Sequence, residues 1–230
     1  MEKKYEPSIM EHLKGDQLIL HYLVRQSRVA TKAPVLILLH GVGSNEHDLF
    51  RRAKQIPEEF LVVAARAPYQ LGPDRFGWYE VDFSSGKPKI NLEQAEKSRD
   101  VIRQFINQVV EKYEADAKQV FLAGFSQGAI MCYSAFLTYP KKLAGIAAWS
   151  GRLLEEVKEF AKPAASLASP GLFIAHGTKD EVLPIHYARD AYNYFSSLGI
   201  TASYHEYDMP HALTNQVFDD FLAWLNQQRL

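Results

Sequence analysis

Ser126 lies in Gly124-Phe125-Ser126-Gln127-Gly128, directly after the apolar run Val120-Phe121-Leu122-Ala123. A strand that turns sharply into a helix at this point holds the hydroxyl exposed on a strained backbone. Only small residues two before and two after the serine let strand and helix approach so closely. The chemistry open to such a serine is nucleophilic attack on an acyl carbonyl. It requires a base to remove the hydroxyl proton and a carboxylate to orient that base. In a chain with 13 glycines the motif also arises by chance, so its weight depends on those partners.

Two later loops supply candidates. His176-Gly177-Thr178-Lys179-Asp180-Glu181-Val182-Leu183-Pro184 follows an apolar run and offers Asp180 at the carboxyl end of a strand, where sites in parallel sheets form. Glu181 is its competitor. Asp208-Met209-Pro210-His211 offers His211 before the last helical segment. The order serine, acid, histidine makes Ser126, Asp180 and His211 the expected triad.

A tetrahedral intermediate also needs backbone donors aimed at its oxygen. One expected donor is the Gln127 N–H, at a helix N-terminus. The other is the Val42 N–H in Leu38-Leu39-His40-Gly41-Val42-Gly43, a glycine-containing turn after a buried strand. His40 is expected to serve that loop by hydrogen bonding. No Lys-Ser/Thr follows Gly43, which argues against a phosphate loop. His176 and His205 read as structural. His12, His21, His47 and His186 lack metal-ligand spacing, so neither metal nor cofactor is expected. Cys132, the only cysteine, lies in an apolar run and reads as a small buried hydrophobe.

The elements that must position these residues alternate between strand-like and helix-like segments, which predicts an α/β fold around a mostly parallel sheet, residues 1–230 forming one domain. Continuous apolar runs at Val35 to Leu39 and Phe60 to Ala64 predict strands buried on both faces. Leu18 to Val24 reads as an early strand, with a hairpin to Ile9 to Leu13 plausible across Lys14-Gly15-Asp16. Further strands are expected to end at Gly124 and over Gly145 to Trp149, Gly171 to Ala175 and Ala202 to Tyr207. Helices are expected over Glu46 to Lys54, from the Asn91–Gln94 capping pair to Tyr113, from Gln127 to Tyr139, over Ile185 to Leu198, and at the C-terminus along Leu213, Val217, Phe221 and Leu225. Tyr69 to Lys89 reads as an irregular loop carrying Phe76, Trp78, Tyr79 and Phe83, and loops of that length often line a site.

A net charge of −1 gives no broad attraction to nucleic acid. No apolar run approaches the ~20 residues of a membrane helix. The N-terminal stretch is not followed by an apolar segment of signal-peptide type. A soluble cytoplasmic protein is expected.

These residues together resemble the acyl-protein thioesterase and bacterial carboxylesterase/phospholipase family of small α/β-hydrolases. The match runs from His40-Gly41-Val42-Gly43 through Gly124-Phe125-Ser126-Gln127-Gly128, Ser150-Gly151 and the Asp180 loop to Met209-Pro210-His211. The resemblance implies an α/β-hydrolase fold without a large lid domain and cofactor-free hydrolysis of small-molecule esters or thioesters. It implies Ser126, Asp180 and His211 as triad, and Val42 and Gln127 as oxyanion donors. Val42, Trp78, Tyr79, Leu183 and Met209 are the expected apolar walls of the acyl site. The chain carries Gly43-Ser44 where the family usually has Gly-Asp, Pro210 where it tends to have glycine, and Gly77-Trp78-Tyr79-Glu80 where Trp-Phe-Asp is typical. These changes flank the acyl site, so the resemblance implies no acyl specificity. A ligand-binding receptor on the same fold, and acyl transfer or perhydrolysis through the same serine, are the alternatives.

Overall fold

The computed structural model describes residues 18–82, 84, 89–161 and 171–228. In chain order the regular elements are β1 (Tyr22–Arg25), β2 (Val35–Leu39), α1 (His47–Phe50), β3 (Leu61–Ala65), β4 (Tyr69–Gly72), β5 (Arg75–Gly77), β6 (Val81–Asp82), β7 (Lys89–Ile90) and α2 (Leu92–Lys112). They continue with β8 (Val120–Phe125), α3 (Gln127–Thr138), β9 (Gly145–Trp149), β10 (Gly171–Gly177), α4 (His186–Ser197), β11 (Ala202–Tyr207) and α5 (Asn215–Gln227). Seven strands form one sheet in the order β1-β3-β2-β8-β9-β10-β11. All neighbours run parallel except β1 and β3.

The β-strand period of two divides the core. Val35, Ile37, Leu39, Val120, Leu122, Ile146 and Ile174 face a layer built from α2, α3 and α4. Leu36, Leu38, Phe121, Ala123, Trp149 and Phe173 face α1 and α5. Both strand faces are therefore apolar, and β2, β3 and β9 are buried at every residue. Each fully buried leucine or phenylalanine contributes about 1.5–3 kcal/mol relative to its exposed state. Helix α2 opens on Asn91, whose side chain accepts from the Gln94 N–H, as the sequence pair predicts. Helix α3 is buried from Gln127 through Leu137 and ends before Pro140. Cys132 lies inside it, fully buried, and burial pushes its thiol pKa up.

Three details differ from the sequence reading. Only Tyr22–Arg25 of the first segment is a strand, and its antiparallel partner is β3. The expected hairpin partner, residues 9–13, lies outside the described residues, as does Phe83. The stretch expected to be irregular holds two antiparallel ribbons, β4 with β5 and β6 with β7. Strand β10 runs two residues beyond Ala175 to Gly177, because its pairing with β11 continues through His176–Glu206 and Gly177–Tyr207.

The strand order reverses between β2 and β8. From β2 the chain steps to β3 on one side, which inserts between β2 and the earlier strand β1, and after α2 it returns to β8 on the other side and moves outward through β9, β10 and β11. The crevice at such a reversal, outside the carboxyl ends of the strands, is where ligands bind in open α/β sheets.

Candidate active site

Ser126 sits at that reversal, between the end of β8 and the first residue of α3. Its backbone adopts φ 54° and ψ −116°, a sparsely populated region whose occupation costs about 1–3 kcal/mol. The turn is held on both sides, because the Ser126 N–H donates to the Trp149 carbonyl at 2.9 Å and the Ser126 carbonyl accepts from Ile130 N–H at 3.1 Å. The flanking glycines are required by space. A Cβ on Gly124 would lie 2.4 Å from the Gly128 backbone, and one on Gly128 would lie 2.0 Å from the Leu39 carbonyl oxygen.

The other two predicted residues arrive from loops 54 and 85 positions further along the chain. His211 Nε2 is 3.0 Å from Ser126 Oγ, and His211 Nδ1 is 2.6 Å from Asp180 Oδ2. Ionised Asp180 only accepts, so Nδ1 carries the proton and Nε2 is left to accept from the serine hydroxyl. The imidazole also lies 4.8 Å, centroid to centroid, from the Phe125 ring. The Asp180 side chain is completely buried. Its Oδ1 accepts from the Val182 and Leu183 N–H groups at 3.0 and 2.8 Å, which satisfies the carboxylate and aims Oδ2 at His211. Glu181, the competing acid, is exposed.

The histidine and acid loops are pressed together. Thr178 N–H donates to the Tyr207 carbonyl at 2.8 Å and Lys179 N–H to the Met209 carbonyl at 3.1 Å. Gly177 permits this approach, since a Cβ there would lie 2.2 Å from the Met209 carbonyl oxygen.

Val42 lies in the loop after β2, between Gly41, where an added Cβ would lie 3.4 Å from Ser126 Cβ, and Gly43, which adopts φ 77°. Among the described residues the Val42 N–H meets no acceptor, whereas the neighbouring Gly43 N–H donates to the Phe76 carbonyl at 2.7 Å. The Gln127 N–H, at the first residue of α3, has no intrahelical partner. Neither the Val42 nor the Gln127 N–H has an acceptor among the described residues. His40 is a buried strut. Its Nδ1 bonds the Gly41 carbonyl at 2.7 Å and its Nε2 accepts from Ala67 N–H at 3.0 Å. Burial holds its pKa below the ordinary histidine value, so it stays neutral.

The expected apolar walls divide. Val42 is exposed and Leu183 partly so, at the rim of the triad loops. Met209 is buried, and its thioether accepts from the Thr214 hydroxyl at 3.7 Å. Trp78 and Tyr79 retain 0% and 1% of their surface, too little to touch a substrate. Their placement corrects the sequence reading: they lock the loop from beneath. Trp78 Nε1 donates to the His40 carbonyl at 3.0 Å, and the Ser98 hydroxyl donates to the Trp78 carbonyl. The Gln127 side chain accepts from Trp78 N–H at 2.7 Å and donates to the Tyr79 carbonyl at 2.8 Å. This bracing role of Gln127 is invisible in sequence, because its partners lie 48 and 49 residues away.

His205 stacks on Phe173 and bonds the Ser203 hydroxyl at 2.8 Å, a structural role. Among the described residues no three His, Cys, Asp or Glu side chains group as a metal would require, and no helix is long and apolar enough to cross a membrane.

Comparison with known proteins identifies the family and the fold. The profile of the phospholipase/carboxylesterase family matches residues 21–228. Acyl-protein thioesterase 1 of Kluyveromyces lactis is 26% identical over 220 residues, covering 87% of this chain and 96% of the relative. Among solved structures, esterase PE8 superposes with a TM-score of 0.79 at 25% identity, over 90% of this chain and 97% of its own. The Bacillus cereus carboxylesterase has the same fold, with a TM-score of 0.78 at 20% identity, over 94% of this chain and 97% of its own.

Proposed function

The chain belongs to the phospholipase/carboxylesterase family and is an esterase- or thioesterase-type hydrolase, and on that premise we propose that it works through an acyl-enzyme on Ser126. The observation that carries this reading is the unbroken path from Ser126 Oγ through His211 at 3.0 Å to Asp180 at 2.6 Å. Ser126 Oγ attacks the acyl carbonyl while its proton passes to His211 Nε2. Asp180 stabilises the resulting imidazolium without itself taking a proton. The carbonyl oxygen, now negative, is met by the Val42 and Gln127 N–H groups. The tetrahedral intermediate collapses, the alkoxide or thiolate leaves with the proton from His211, and the acyl group remains on Ser126. Water then attacks the acyl carbonyl with His211 as base, a second tetrahedral intermediate forms, and its collapse returns the proton to Ser126 and releases the carboxylic acid.

The substrate class is a small-molecule ester or thioester. Only 20 residues separate Ser150 from Gly171, which leaves no room for a lid domain and suits short-to-medium acyl groups. Exposed Val42 and partly exposed Leu183 are the candidate apolar walls of the proposed acyl site. Replacement Ser126→Ala tests the reading. Hydrolysis of p-nitrophenyl acetate should fall by about 10³-fold or more, with the fold intact by circular dichroism. A folded mutant that keeps most of its activity refutes the nucleophile.

A further inference from the structure

His176 is a buried histidine that the mechanism above does not use. It lies on β10 with its side chain on the same face as Leu172 and Ile174, and it is 1% exposed. Its Nε2 is 2.6 Å from the Leu183 carbonyl oxygen and 3.3 Å from Asp180 Oδ2. A carbonyl and a carboxylate both only accept, so Nε2 carries the proton. Asp180 Oδ2 therefore faces two imidazoles, His211 at 2.6 Å and His176 at 3.3 Å, while Oδ1 is saturated by backbone donors.

We propose that His176 is the positioning residue for the triad acid: its Nε2–H, held between the Leu183 carbonyl and Asp180 Oδ2, clamps the carboxylate against His211. This inference rests on the proposed role of Asp180. The Leu183 bond closes the acid loop back onto β10, and the loop is the source of both donors to Oδ1. Loss of the clamp frees the loop and lets the carboxylate rotate. It also removes a dipole that partly offsets the charge on Oδ2.

The groups facing His176 are Asp180, His211 and Glu206. Glu206, its neighbour across the β10–β11 register, is already engaged by Arg189 at 2.8 and 2.9 Å and by Tyr204 at 2.6 Å. Burial lowers the His176 pKa, which keeps the ring neutral and available as a donor.

The test compares His176→Asn with His176→Gln, reading kcat, KM and the pH profile of kcat/KM for p-nitrophenyl acetate. A glutamine amide reaches the position of Nε2, and an asparagine amide stops short of it. The asparagine variant should lose about 10- to 100-fold in kcat with KM within about twofold. Its acid limb should leave the wild-type position, because the carboxylate that stabilises the His211 imidazolium is no longer held in place. The glutamine variant should recover kcat to within about threefold and return the limb to its original place. A folded asparagine variant with the wild-type limb and kcat overturns the clamp, and so does a glutamine variant that fails to recover both. If the asparagine variant does not fold, the glutamine variant alone decides by the same criterion. Retained activity in Ser126→Ala would instead remove the underlying reading, so the two failures are distinguishable.

Discussion

Gly177→Ala isolates the contact between the acid and histidine loops. The alanine Cβ would lie 2.2 Å from the Met209 carbonyl oxygen and 2.7 Å from that of Pro210. Comfortable carbon–oxygen separations begin near about 3.3 Å, so the two loops must part by roughly 1 Å. Both obstructing atoms are backbone, which no side-chain rotation relieves, and they lie one and two residues before His211. A shift of that size cannot preserve both the 2.6 Å bond from His211 to Asp180 and the 3.0 Å bond to Ser126. Misplacement by about 1 Å costs on the order of 10²-fold in rate, or about 3 kcal/mol of transition-state stabilisation. The strain should also cost about 1–3 kcal/mol of stability and lower Tm by several degrees. The assay is kcat/KM on p-nitrophenyl acetate, with melting followed by circular dichroism. Gly72→Ala is the control, because its Cβ would meet nothing closer than 3.9 Å. The control should keep activity to within about twofold. A folded Gly177→Ala enzyme within about threefold of wild type would show that this close approach does not position His211.

Gln127→Ala removes two buried bonds and leaves Trp78 N–H and the Tyr79 carbonyl unpaired. Urea denaturation should show a loss of about 2–4 kcal/mol, and a loss under about 1 kcal/mol would deny the bracing role. The Glu46–Arg66 pair, which ties the start of α1 to the residue following β3, should show in the pH dependence of stability. Burial, the largest single influence, pushes the Glu46 carboxyl up, but the hydrogen bonds and charge of Arg66, the Glu46 backbone N–H and His47 together outweigh it and hold the pKa below the ordinary value of 4.5. A folded-state pKa below the unfolded one contributes stability that is full above 4.5 and fades as pH falls through the folded value. The Tm gap between wild type and Glu46→Gln should therefore narrow between about pH 5 and 3, and a gap that stays constant contradicts the argument.

Much of the proposed site is legible in the sequence for a local reason. Ser126, Asp180 and His211 each follow a strand segment, and a parallel sheet gathers the carboxyl ends of its strands on one edge. Elbow glycines announce themselves because only glycine fits where a Cβ would lie 2.0 or 2.4 Å from backbone. Trp78 and Tyr79 were misread because a loop aromatic looks the same in sequence whether it faces a ligand or the core.

The amino-acid sequence by itself determined the alternation of strands and helices, both apolar faces of the sheet and the chain order of the proposed reacting groups, since each follows from neighbouring residues and their period. Only the tertiary structure decided that β1 pairs with β3, that Gln127 braces a loop 48 residues away, and that His176 lies against Asp180. The first two relations depend on which segments distant in sequence meet in the fold, and the third on how the four-residue step after His176 turns back on its strand, neither of which a local pattern encodes.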